Sequence, residues 1–337
     1  MTALRVEKDD FGRLSSGELI ERFTLINTRG AQVSVITYGG ATAAIKMPDR
    51  NGVLDDVALG FETLAPYLGG TAYIGAAIGP VAGRISGAQF RLGQTLYKLH
   101  KNEGDNCLHS GDAGYHAALW TPQITGSGLR LWLETPPGRA GFAGRVTCAL
   151  DITLSDENAL TYRYRALSDA ATPLSLTHHD YFNLSSGGAT RADDHTIEIM
   201  ADKYVELGPG NLPTGALAGT SGGPFDLRAP APLCRQAYDH HFIVRGSGMR
   251  HMARAQAASS GRRLDVYSNA DGVQFYNGAF LPNAAGKGGR TYGPFSGFAL
   301  EPQQRPNAVN LPQFPSIMSG KNALYDHSII YKFGLID

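Results

Sequence analysis

Residues 145–165 read RVTCALDITLSDENALTYRYR. From Arg145 to Leu154 the even positions are Val146, Cys148, Leu150, Ile152 and Leu154, and the odd ones include Thr147, Asp151 and Thr153. Side chains alternate across a β-strand, so this run has one apolar face and one polar face. After the polar turn Ser155-Asp156-Glu157-Asn158, Leu160, Tyr162 and Tyr164 alternate with Thr161, Arg163 and Arg165. Two such arms about a polar turn predict a β-hairpin with one wet face.

The same signal recurs outward from this hairpin. Phe90-Arg91-Leu92 and Thr95-Leu96-Tyr97 flank Gly93-Gln94, and glycine at the first turn position suits a two-residue type II′ turn. Further strand-like runs lie at 21–28, 32–37, 129–134, 196–200, 264–268, 273–276 and 297–301. Residues 251–258 (HMARAQAA) have a helix-favouring composition. The Ser259-Ser260-Gly261 turn and the run after it favour a hairpin arm instead, and the segment is read as strand. No internal repeat or biased linker divides the chain. The expectation is an all-β protein, one large β domain spanning residues 1–337.

Composition bounds the function. Thirty basic and thirty acidic residues give zero net charge, which argues against a nucleic-acid binder. No apolar stretch approaches a membrane span, and the first residues lack the apolar run of a signal peptide. Cys107, Cys148 and Cys234 are odd in number with no C-x-x-C spacing, as expected of reduced thiols in the cytoplasm. The 42 glycines among 337 residues follow no Gly-X-Y period, which excludes collagen and leaves many tight turns.

Histidine doublets stand beside aspartate in His178-His179-Asp180 and Asp239-His240-His241. On a strand, neighbours face opposite ways, so each doublet offers one ligand per face. No zinc spacing accompanies them, and no metal is expected. Gly286-Lys287 lacks the rest of a phosphate loop. What remains is acid, base, cation, amide and hydroxyl with aromatics between, a set suited to a sugar's many hydroxyls and apolar ring faces.

The polar clusters occur in named blocks: GPVAGRI (79–85), CLHSGD (107–112), LTHHDYFNL (176–184), YDHHF (238–242), GVQFYNGAFL (272–281) and SGFALEPQQRPNAVNLPQFP (296–315). In these blocks, and from TYGGATAAIKMPDRNGVLDDVALGF to YDHSIIYKF, the chain resembles the aldose 1-epimerase (galactose mutarotase) family. That resemblance implies a large antiparallel β-sandwich of the galactose mutarotase-like supersandwich type. It implies an isomerase that interconverts the α and β anomers of free hexoses such as galactose and glucose by ring opening and reclosure. The glutamate of the family's L-E-x-Q block falls on Glu301, the expected base. The histidine before x-Y-F-N-L falls on His179, the expected acid. Arg84, His109, Asp239 and Gln274 fall on the family's sugar-binding positions. No metal or other cofactor is implied; the partner is a monosaccharide, with no nucleic acid and no membrane.

Three departures bear on sugar preference. The family often has Asn where Gly83 stands, Arg where Pro80 stands and Asn where His178 stands. His178 is expected to face away from His179, and His240 and His241 are read as structural. Tyr181 shares a face with His179 if the strand is regular. The alternatives carried forward are a hexose 6-phosphate epimerase, which needs further cations at the pocket mouth, and a sugar-binding protein that performs no chemistry.

Overall fold

The 145–165 segment folds as its alternation dictates. Val146–Leu154 and Ala159–Ser168 pair antiparallel, with Leu150 opposite Tyr164 and Ile152 opposite Tyr162. The even-numbered apolar residues are buried, and Tyr162 and Tyr164 are wholly enclosed. On the other face Asp151 receives Arg130 and Arg165 from the two flanking strands. These arms are the third and fourth strands of a larger sheet.

The computed structural model describes residues 4–70, 72–185 and 187–336. Three sheets dominate, with antiparallel pairing throughout their ladders. A nine-stranded sheet runs in the order Thr121–Thr125, Gly128–Thr135, Val146–Leu154, Ala159–Ser168, Tyr325–Leu335, Arg262–Ser268, Arg250–Ala257, His195–Ile199 and Ala231–Pro232. A six-stranded sheet runs Tyr181–Phe182, Phe298–Gln303, Gly272–Tyr276, Asp239–Val244, Ala201–Leu207 and Pro213–Gly219. A five-stranded meander, Arg5–Arg13 to Leu54–Asp56, precedes both. The chain forms an antiparallel β-sandwich. Val33 and Ile45 of the meander, Leu150 and Tyr331 of the large sheet, and Phe242 and Phe275 of the six-stranded sheet belong to one buried cluster.

The six-stranded sheet is two-sided. Phe242, Val273, Phe275, Phe298 and Leu300 are buried on its back. Tyr331 of the large sheet seals this layer, its ring 4.9 Å from Phe182 and its hydroxyl donating to the Leu300 carbonyl at 2.7 Å. Alternation therefore sends Asp239, His241, Gln274, Tyr276, Glu301 and Gln303 to the front. Apolar burial on one face fixes the register, and the register assembles the polar face.

Local readings hold with small shifts in length. Gly93 has φ 59° between Leu92 and Thr95, as a tight hairpin requires. Residues 250–257 are a strand, not a helix. The strand carrying Glu301 continues to Gln303 rather than stopping before Pro302. Its outer neighbour Tyr181–Phe182 pairs only with Phe298 and Ala299, so that edge asks nothing of the Pro302 nitrogen. The described α-helical content is the single turn Ala65–Leu68, and no described helix is long and apolar enough to cross a membrane.

Candidate active site

Residues directly opposite on neighbouring strands project to the same face. His241 lies opposite Gln274, and Gln274 opposite Glu301. Tyr181 lies opposite Ala299 on the outer side of the same strand. Two residues back along the chain, His179 brings its Nε2 to 3.4 Å from Glu301 Oε1. The front face thus carries a row His241, Gln274, Glu301, His179. Asp239 and Gln303 flank it, each two residues from a member of the row.

Two loops close over this face. His109 and Ser110 have φ of 50° and 69°, followed by Gly111 at 68°. That left-handed run turns the His109 ring back against the strand edge. Its main-chain N–H donates to the Gly83 carbonyl at 3.1 Å, and its Nδ1 accepts the Gly83 N–H at 3.2 Å. Arg84 follows Gly83, with Nε and Nη2 held by Glu103 at 2.7 Å each and Nη1 reaching Asp239 at 3.3 Å. Asp239 in turn accepts from Gln274 at 2.7 Å.

All six residues singled out from the sequence (Glu301, His179, Arg84, His109, Asp239 and Gln274) line one cavity of about 370 Å³. Tyr181 stacks on His179 with ring centroids 4.8 Å apart and forms part of the wall. His178 points the other way, its Nδ1 2.8 Å from the Tyr164 hydroxyl and its Nε2 3.0 Å from Thr42 Oγ1. His240 also leaves the site and packs on Phe225.

Electrostatics separates the members of the row. Burial pushes the Glu301 carboxyl well above its ordinary range, and the Asp239 charge adds to the shift against the opposing pull of Arg84. Burial pushes the His179 imidazole down to about 4. His109 is also held well below its ordinary value, by burial and then by the neighbouring histidines. Glu301 Oε2 and His179 Nδ1 have no hydrogen-bond partner among the described residues. The pair is therefore poised to hold one proton between two sites rather than to stand as a fixed ion pair.

His109, His179 and Glu301 place their ligand atoms within 4.8 Å of one another, a spacing that also suits a cation. The Gly83 N–H occupies His109 Nδ1, so the neutral ring carries its proton on Nε2. A donor at that point serves a sugar oxygen better than a metal ion.

Sequence reading missed four contributors. His241, read as structural, lines the cavity, as do Gln303, Glu103 and Tyr73. His241 shares a face with Asp239, and Gln303 with Glu301, so period-two alternation was signal enough for both. Tyr73 packs edge-on against His109 at 4.7 Å, and its hydroxyl accepts from Asn102 at 3.0 Å. Neither Tyr73 nor Glu103 carries a local signal, because loop closure alone brings them in.

Residues 21–332 match the family model described as aldose 1-epimerase. Galactose mutarotase of Homo sapiens is 38% identical over 335 residues, covering 96% of this chain and 97% of the relative. Aldose 1-epimerase of Escherichia coli K12 is 29% identical over 315 residues, covering 89% and 90%. Among solved structures, an aldose epimerase homologue from C. elegans superposes with a TM-score of 0.88 at 26% identity, covering 92% of this chain and 98% of that one. Galactose 1-epimerase from Lactobacillus acidophilus superposes at 0.85 with 25% identity, covering 99% and 100%.

Proposed function

The chain belongs to the aldose 1-epimerase family and interconverts sugar anomers, and on that premise we propose that it acts on free hexoses, galactose and glucose, with Glu301 as base and His179 as acid. The observation that carries this reading is the buried approach of His179 Nε2 to Glu301 Oε1 at 3.4 Å in the cavity wall.

The chemistry needs one proton on this pair at every stage. With the ring closed, Glu301 is ionised and His179 protonated. Glu301 takes the proton from the C1 hydroxyl, and that O–H electron pair becomes the second bond of the C1 carbonyl. The C1–O5 bond breaks toward O5, which takes the proton of His179. The proton now sits on Glu301, and His179 is neutral. Rotation about C1–C2 presents the other carbonyl face, and the same transfers in reverse close the ring. Burial favours the uncharged arrangement of the pair, which is the one reached when the ring is open. A C1 hydroxyl donating to Glu301 favours the carboxylate that starts the cycle. His109, Arg84, Gln274 and Asp239 hold the remaining oxygens.

Free hexoses are preferred over hexose 6-phosphates because Arg84 is the one Lys or Arg among the described lining residues, and Glu103 and Asp239 already engage it. The three free cysteines, two of them buried, support a cytoplasmic setting. Glu301→Gln is expected to lower anomer exchange by about 10²–10⁴-fold, the usual worth of a positioned base. Polarimetry on freshly dissolved α-glucose measures it. Near-normal turnover in a folded Glu301→Gln variant would remove the base from that residue.

A further inference from the structure

Where the Glu301 carboxylate stands is set largely by its main chain. Its Oε2 has no hydrogen-bond partner among the described residues to anchor it from the cavity side. On one side its strand is laddered to Gly272–Tyr276. On the other side, Tyr181–Phe182 pairs with Ala299 and Phe298, so that ladder stops short of the base.

The peptides on either side of Glu301 are met from the opposite sheet instead. Tyr331 Oη donates to the Leu300 carbonyl at 2.7 Å, and His327 Nε2 lies 3.2 Å from the Pro302 carbonyl. Both side chains belong to Tyr325–Leu335, and alternation puts them on its one buried face. The His327 ring faces an oxygen at each nitrogen. Nδ1 lies 3.0 Å from Asn269 Oδ1, which already accepts the Ser328 N–H at 2.9 Å. Burial lowers the ring to about 4, so near neutral pH it carries one proton. On Nε2 that proton meets the Pro302 carbonyl, and Asn269 Oδ1 keeps the Ser328 N–H.

We propose that Tyr331 and His327 are positioning residues for the base: by donating to the carbonyls of Leu300 and Pro302 they fix the two peptides that carry Glu301. This rests on the assignment of the base to Glu301. A reacting group works only when held within about 0.5 Å of its productive place, and an error of about 1 Å can cost on the order of 10²-fold in rate. Neither side chain touches the cavity, so both act through the strand.

The test is a double-mutant cycle on glucose exchange, read by exchange NMR for kcat and KM, with thermal melting followed on the same preparations. Tyr331→Phe removes the hydroxyl and keeps the ring. His327→Gln keeps a donor near the Nε2 position, and His327→Asn keeps one near Nδ1 alone. Tyr331→Phe and His327→Asn are each expected to lower kcat by about tenfold. KM should stay within about twofold, because Arg84, His109, Asp239 and Gln274 hold the sugar from other strands and loops. His327→Gln should keep most of the wild-type kcat. In a Glu301→Gln background, Tyr331→Phe and His327→Asn should each cost less than about twofold more, since no base is left to misplace. Normal kcat per folded molecule in Tyr331→Phe and His327→Asn, whatever their melting temperatures, would overturn the proposal. So would equal further losses in the Glu301→Gln background, or an Asn variant at 327 faster than the Gln variant. Near-normal turnover of Glu301→Gln itself would instead count against the base assignment on which the proposal rests.

Discussion

Glu301 and His179 titrate as one buried unit, and this fixes the form of the pH dependence. The active unit holds one proton. As pH rises, that proton leaves, and the limb belongs to the carboxyl that burial holds above its ordinary range. As pH falls, a second proton enters on His179, which burial holds at about 4. Exchange should therefore follow a bell in pH, with its acid limb below the ordinary histidine range. A profile of kcat/KM between pH 3.5 and 9 checks it, and an acid limb near the unperturbed histidine value of ~6.5 would contradict it. Glu301, His179, Arg84, His109, Asp239 and Gln274 were legible through the motif blocks shared with the family, and alternation, which was not followed that far, would have extended the reading from Glu301 to Gln303 and from Asp239 to His241. Glu103 and Tyr73 were not legible, since nothing near them in the chain marks which strand edge their loops close over.

Asp180, behind His179, makes a separate prediction about stability. It is 1% exposed, and the Tyr162 and Thr42 hydroxyls near its carboxyl offset only part of the effect of burial. His178 Nε2 lies 3.7 Å away but is spent on Thr42, and burial lowers that ring to about 3, so it stays neutral and offers Asp180 no charge. Burial raises Asp180 to about 7 from 3.8. Folded-state affinity for the proton exceeds that of the unfolded chain, so stability is fully present below the unfolded pKa. It declines as pH rises toward about 7, by a few kcal/mol. Asp180→Asn should flatten this decline. Urea midpoints at pH 5 and pH 8 measure it, and an unchanged slope in the variant would place the pH dependence elsewhere.

At the scale of elements, the strand Gly272–Tyr276 is the one on which the site depends for register. It lies between Asp239–Val244 and Phe298–Gln303 and so aligns both. A Cβ at Gly272 would come within 2.2 Å of the Phe242 carbonyl, a backbone atom that cannot step aside alone. Gly272→Ala should cost about 1–3 kcal/mol, the usual price of overpacking, and should lower turnover more than that by tilting the row. Denaturant unfolding and polarimetry on one preparation separate the two effects. A variant of wild-type stability and activity would mean that the sheet opens there without strain. The hairpins were legible because turn and alternation are both local. The 250–257 segment shows the limit: its alanines and arginines favour a helix in isolation, but Ala253, Ala255 and Ala257 form the buried face of a strand paired on both sides. Sheet order was not legible, because it depends on which distant edges meet and not on any one strand.

Across the whole molecule, the two ends of the described chain carry different weight. Arg5–Arg13 is an edge strand, paired on one side only and largely exposed. Tyr325–Leu335 lies in the middle of the nine-stranded sheet, between Ala159–Ser168 and Arg262–Ser268. It brings Ile329, Tyr331 and Phe333 into the core and closes two long loops at once. Without it the sheet splits into two parts, each with an open edge, and the back of the six-stranded sheet loses the Tyr331 ring that seals it. Such non-local closure is also the slow part of folding, since the loop entropy is lost before the contacts form. A chain ending at Ala323 should therefore show no cooperative thermal transition and no exchange activity. A chain beginning at Ser15 should still unfold cooperatively, at a lowered midpoint, and keep measurable exchange, because no described lining residue of the sugar cavity precedes Ala72. Circular dichroism melts and polarimetry on the two truncations decide the matter. A cooperative, active chain ending at Ala323 would show that the two halves of the large sheet hold together through the six-stranded layer alone.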